Sequence, residues 1–146
     1  MGKVLVSSSA FEHAEKHATL SGRDRNFLAS RWYSFNAALA GVWYILRTQP
    51  NAWIELAASA LVVLGGLWLS IQTWEWALLL ATIFGVLALE ALNTAIESVV
   101  DLVSPDYHPM AKIAKDSAAA AMVFAVFGSL CVAATIFGPR LWSLLT

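Results

Sequence analysis

The sequence predicts an all-α membrane protein in which three transmembrane helices follow an N-terminal amphipathic helix on the membrane surface. Three observations carry this prediction. Of the 146 residues, 59% are hydrophobic and 13% charged, with a mean hydropathy of +0.66; an average soluble domain has about 45–50% apolar and 25% charged residues. The charges leave long stretches bare, each able to supply most of the roughly 20 apolar residues that cross a bilayer as helix. No strand-like alternation occurs in them, and backbone groups in lipid must then be satisfied inside helices.

The chain begins with a polar segment, residues 1–28, that reads as a cytosolic tail with room for one short helix and carries Glu12, Glu15, Lys16, Arg23, Asp24 and Arg25. Val4-Leu5-Val6 is too short for the apolar part of a signal peptide. From Arg31 to Arg47, the residues Trp32, Phe35, Leu39, Val42, Trp43 and Leu46 fall at helical spacing between basic ends, the pattern of a helix lying on a membrane. A helix buried in the bundle would show the same spacing.

Residues 29–140 form the membrane domain, and 141–146 the C-terminal end. The first span covers about 52–71, around the charge-free run Leu56 to Trp74. The second covers about 74–101, where the apolar pattern continues past Leu89 with polar residues inside it. The third covers about 113–138, within the charge-free run Ser117 to Pro139. Lysine and arginine fix the orientation: six precede the first span, Lys112 and Lys115 lie between the second and third, and the Gln72-Thr73 connection has none. The N-terminus and the second loop are therefore expected in the cytosol, with Trp68, Trp74 and Trp76 at the opposite interface. A net charge of −1 offers no basic field for nucleic acid, and the single Cys131 excludes an internal disulfide.

Glu90, Asn93, Glu97, Asp101 and Ser104 recur at spacings of three and four, so they share one stripe of the second span. Carboxylates at that depth are costly and should face protein or water. They could serve chemistry, or they could only bond neighbouring helices and set assembly. The stripe leads to a loop framed by Pro105 and Pro109, with His108 inside it, and then to Lys112, Lys115 and Asp116. An oxygen ligand such as Glu97 suits Mg²⁺, which borrows substrate phosphates, and Lys115 suits a phosphate as a point charge. His108 has no second histidine at ligand spacing and reads as a loop residue.

The run Glu-Ala-Leu-Asn-Thr-Ala-Ile-Glu-Ser-Val-Val-Asp at 90–101, with His108-Pro109 and Ala-Lys-Asp-Ser-Ala-Ala-Ala-Ala at 114–121, resembles the signature of the prokaryotic diacylglycerol kinase family, which includes undecaprenol kinases. The resemblance spans residues 34–137. It implies a homotrimeric lipid kinase of the bacterial cytoplasmic membrane that uses ATP and Mg²⁺, with composite sites at subunit interfaces. It further implies that Glu90 is the base for the lipid hydroxyl and that Glu97 ligands the ATP-bound metal. Asn93, Asp101, Lys115 and Asp116 would hold the nucleotide phosphates and their metals or orient the groups that do. Soluble-kinase and P-loop signatures are absent from the sequence.

One position departs from that pattern. Where many members of the family place a metal-binding glutamate before the first span, this sequence has Gln49. Either Gln49 supplies a neutral oxygen, with Glu55 or water completing the site, or metal affinity is lower. Arg31 is a candidate nucleotide contact. The segment 108–116 is similar to the undecaprenol-type branch, which favours that acceptor over diacylglycerol. A proton-coupled carrier or channel subunit, using Glu90 and Glu97 as a relay, is the alternative function. Gly65-Gly66 and Ala118 to Ala121 offer flat surfaces for close helix approach in an oligomer.

Overall fold

A computed structural model describes residues 27–146, so nearly all of the expected N-terminal tail lies outside the described residues. Four helices follow in order: α1 (Phe27–Thr48), α2 (Pro50–Trp68), α3 (Thr73–Val103) and α4 (Pro109–Leu145). The described residues contain no strand. The last three helices are long and apolar enough to cross a membrane, with mean hydropathies of 1.4, 1.9 and 2.3. The chain is an all-α membrane protein.

The chain divides into two units, residues 1–41 and 42–146. Within the first, Arg31 lies 5.0 Å over the Phe27 ring and Trp32 sits 6.0 Å from Phe35. The expected apolar positions Trp32, Phe35 and Leu39 are all exposed.

In the second unit, Gln49 separates α1 from α2 in extended conformation, and Pro50 opens α2 where its missing N–H removes nothing. Trp53 ties the joint by donating its indole N–H to Leu46 O at 2.8 Å, satisfying a carbonyl at the end of α1. At the far end of α2 the chain turns through Ser70, whose φ of 49° is the one left-handed non-glycine conformation among the described residues. Ile71 then folds under Gly66.

The tightest packing gathers at this turn. Ile71, Leu79 and Ile136 are buried, surrounded by Val62, Leu69, Trp76, Ile83, Val132 and Phe137. Gly66 has no room for a side chain, because a Cβ there would stand 2.9 Å from the Trp76 ring and 3.0 Å from Ile71 Cδ1. Gly65 faces Phe137 at 3.6 Å. The glycine pair is thus engaged within the chain.

α3 and α4 pack along their lengths as an antiparallel hairpin, and α2 touches both. Two ion pairs bracket this hairpin. At one end Arg140 donates to both Glu75 oxygens at 2.8 and 2.6 Å, while Glu75 also accepts from Gln72 N at 2.6 Å, closing a capping box. At the other end Lys115 donates to Asp101 at 2.5 Å. Glu75 and Asp101 are separated by about 39 Å of helix, beyond the roughly 30 Å of a hydrocarbon core.

α4 runs on through Pro139, where the sequence marked the end of its charge-free stretch. Proline removes one backbone donor, and side chains bond the carbonyls around it: Arg140 to Ile136 O at 2.7 Å and Ser143 to Arg140 O at 2.8 Å. Most other large apolar side chains, including Leu61, Phe84, Phe124 and Leu130, are exposed, as expected where lipid is the solvent.

Candidate active site

The polar stripe of α3 is buried at its middle and opens toward its C-terminus. Glu90 is 2% exposed, Thr94 4% and Asn93 9%. Glu97 is half-buried and Asp101 exposed. Neither Glu90 oxygen, nor Asn93 Oδ1, nor Thr94 Oγ1 has a hydrogen-bond partner among the described residues. A buried polar atom without a partner carries the full cost of its desolvation, so a group that persists in this state is a candidate for ligand contact.

Glu90 lines a cavity of about 320 Å³ together with Glu55 and Asn51 of α2 and Met122, Val123, Val126 and Phe127 of α4. Glu55 was a candidate to complete the metal site; the fold sets it on the same cavity as Glu90. A second cavity of about 260 Å³, walled by Val62, Leu79, Ile83 and Leu130, shares Ile54, Glu55 and Val126 with the first. Glu55 therefore lines both cavities and Glu90 the first.

One turn beyond Glu90, Asn93 Nδ2 donates to Glu97 Oε1 at 3.2 Å, which fixes the orientation of both side chains. Further along, Asp101, Lys115, Asp116, Lys112, His108 and Ser104 surround a third cavity of about 380 Å³. Asp101 pairs with Lys115, and Asp116 with Lys112. His108 caps α4, its Nδ1 accepting from Met110 N at 3.2 Å, in keeping with a loop residue. Along α3 the order is thus buried carboxylate, amide, half-exposed carboxylate, then paired charges, over roughly 16 Å from Glu90 to Asp101.

Gln49 stands apart from these cavities. Its side chain makes no helix-capping bond, and no hydrogen bond joins it to Glu97 among the described residues. Arg31 lies in the other unit, over Phe27.

No group of three or more His, Cys, Asp or Glu side chains among the described residues could hold a metal by itself. The donors present still suit Mg²⁺. That ion is usually bound by one or two carboxylates plus substrate phosphates and water, and Glu97, oriented by Asn93, has its second carboxylate oxygen free of partners among the described residues.

Spacing along one helix revealed the α3 stripe, but it could not show that Glu55 of α2 faces Glu90. Thr94 lies one turn from Glu90 and was also missed. So was the Glu75–Arg140 pair, although glutamate three residues after Gln72 is the spacing of a capping box.

A carboxylate buried within a candidate membrane span, with cationic groups at the helix end, is an arrangement that suits an enzyme acting on a lipid and a phosphate donor. The sequence matches the prokaryotic diacylglycerol kinase family over residues 36–137. It is 42% identical over 118 residues to the undecaprenol kinase of Bacillus subtilis, covering 80% of this chain and 95% of that protein. It is 42% identical over 113 residues to a diacylglycerol kinase of Synechocystis, covering 77% and 65% respectively. The diacylglycerol kinase of Escherichia coli is 30% identical over 123 residues, covering 80% and 98%. The chain belongs to the prokaryotic diacylglycerol kinase family and is a membrane lipid kinase with ATP as phosphate donor. The carrier or channel alternative falls away.

Proposed function

We propose that the protein transfers the ATP γ-phosphoryl group to the hydroxyl of a polyprenol, undecaprenol being the chemical type, with Glu90 as general base. The observation that carries this reading is the Glu90 carboxylate, buried at 2% exposure, with neither oxygen partnered among the described residues, in a largely apolar-lined cavity that shares Ile54, Glu55 and Val126 with a second one. A lipid alcohol brings its hydroxyl to such a place while its chain stays in hydrocarbon.

In the proposed step the lipid oxygen attacks the γ-phosphorus, the bond from phosphorus to the β,γ-bridging oxygen breaks, and ADP leaves. Glu90 takes the hydroxyl proton. Asn93 orients Glu97, which with Gln49 would hold Mg²⁺, and Lys115, Asp101 and Asp116 position the triphosphate. When bound, the ion neutralises charge on the phosphoryl oxygens. Glu97 and Lys115 follow Glu90 along one direction of the hairpin, an order that suits a nucleotide laid from the acceptor toward the α3 C-terminus.

The α3 C-terminus and the N-terminal segment are placed on the cytosolic side of the bacterial cytoplasmic membrane, where ATP is available and where lysine and arginine concentrate. The exposed apolar faces of the spans are covered by lipid and by two further copies in a homotrimer. Purified protein in lipid nanodiscs, given Mg-ATP carrying labelled γ-phosphate, should label undecaprenol at least tenfold faster than diacylglycerol; equal or reversed rates would reject the acceptor. A stable, active monomer in native mass spectrometry would reject the trimer.

A further inference from the structure

The cavity at Glu90 holds more acidic capacity than a single base requires. Glu90 presents two unpartnered oxygens to it, and Glu55, across the cavity on α2, has a buried Oε2 that is also unpartnered. Among the described residues, no cationic side chain lines this cavity. From α2 the remaining polar lining is the neutral Asn51, from α4 the lining is Met122, Val123, Val126 and Phe127, and from α3 the next charge is Glu97, two turns beyond the cavity. Two ionised carboxylates facing one another without a cation, in a medium that solvates charge poorly, are strongly unfavourable. One proton between them removes half of the charge and gives each an otherwise missing partner.

We infer that Glu55 is a positioning residue that shares a single proton with Glu90 across this cavity, holding one Glu90 oxygen and leaving the other bare for the lipid hydroxyl. The inference rests on the reading of Glu90 as base. In the resting enzyme the pair carries one proton and one negative charge. When the lipid oxygen bonds to the γ-phosphorus and ADP departs, the hydroxyl proton passes to Glu90, and the pair becomes neutral with two protons. Loss of one proton to water restores the start. The site thus never carries more than one charge, and the negative charge it begins with is spread over two side chains.

Glu55→Gln tests this, because the amide keeps volume and a hydrogen-bond donor but cannot exchange the proton. Full-length protein in nanodiscs, assayed with Mg-ATP and undecaprenol, should lose about threefold or more in kcat, and the acid limb of its pH–rate profile should move to higher pH, because the carboxylic acid that donates to the Glu90 anion is replaced by a weaker amide donor. The Mg²⁺ concentration for half-maximal rate should not change. Glu55→Leu, which removes the donor as well, should lower kcat by about tenfold or more with little change in the KM for ATP. An unmoved acid limb in Glu55→Gln overturns the inference, and so does a raised Mg²⁺ requirement, which would make Glu55 a metal ligand. If Glu55→Leu fails to reconstitute, the Gln variant decides alone. Glu90→Gln separates the two levels: an active Glu90→Gln enzyme removes the base and the shared proton together, whereas an inactive one beside an unmoved Glu55→Gln profile removes only the shared proton.

Discussion

Arg140 grips Glu75 through both guanidinium nitrogens, joining the end of α4 to the first turn of α3 across 65 residues of sequence. The Glu75 side chain is only 7% exposed, so its charge depends on this partner and on Gln72 N. Removing Arg140 leaves the Glu75 carboxylate without its cation in a site that solvates it poorly, which destabilises the fold. Arg140→Ala should therefore lower the thermal midpoint in detergent markedly. The double variant Arg140→Ala with Glu75→Gln should recover much of the loss, and a double variant no better than the single one would deny that charge is the cause.

Glu97→Gln should remove more than about nine-tenths of phosphoryl transfer while leaving the assembled protein intact, because an amide replaces a carboxylate ligand without changing side-chain volume. Lipid kinase assays paired with size-exclusion chromatography check both parts. Turnover above about a tenth of wild type would reject Glu97 as a metal ligand.

Lys115→Met should raise the KM for ATP by about tenfold or more, since a point charge on phosphate is lost and Asp101 is left without its partner. Lys115→Arg should recover part of the affinity. Steady-state kinetics at varied ATP separate this from an effect confined to kcat.

Gln49→Glu should lower the Mg²⁺ concentration needed for half-maximal activity and leave the saturated rate nearly unchanged, because each added negative ligand strengthens binding of a hard dication. A Mg²⁺ titration that is identical in the variant removes Gln49 from the metal site.

Gly66→Ala and Gly65→Ala should part company despite adjacent positions. A methyl at Gly66 meets the rigid Trp76 ring at 2.9 Å and should cost about 1–3 kcal/mol. At Gly65 the nearest atom is Phe137 at 3.6 Å, an ordinary contact, so the higher helix propensity of alanine should be neutral or add up to about 1 kcal/mol. Thermal melts of the two variants in one detergent give the comparison.

The helical membrane class was readable in the sequence because lipid imposes it: charge-free runs near Leu56, Trp76 and Ser117 leave few other structures available. Helical spacing likewise disclosed that Glu90, Asn93, Glu97 and Asp101 share a face. What spacing cannot disclose is which residue of a different helix stands opposite. Glu55 on the same cavity as Glu90, Arg140 on Glu75 and Lys115 on Asp101 depend on the register and rotation of neighbouring helices, which are set by contacts such as Gly66 under Trp76. The end of α4 was obscured for another reason: Pro139 is a local stop signal that the bonds of Arg140 and Ser143 override.

The two ion pairs at the ends of the α3–α4 hairpin also limit how the protein can adapt to its bilayer. A helix pair fastened at one point can slide to shorten or lengthen its apolar face, but Glu75–Arg140 and Asp101–Lys115 fasten this one at both ends, with 25 residues of α3 between the clamps. The hairpin meets a thinner membrane as one rigid strut, by tilting or by deforming the lipid around it. Either response changes how deeply Glu90 sits relative to the headgroups without changing its distance to Lys115, so bilayer thickness acts on the meeting of enzyme and lipid while the nucleotide end keeps its geometry.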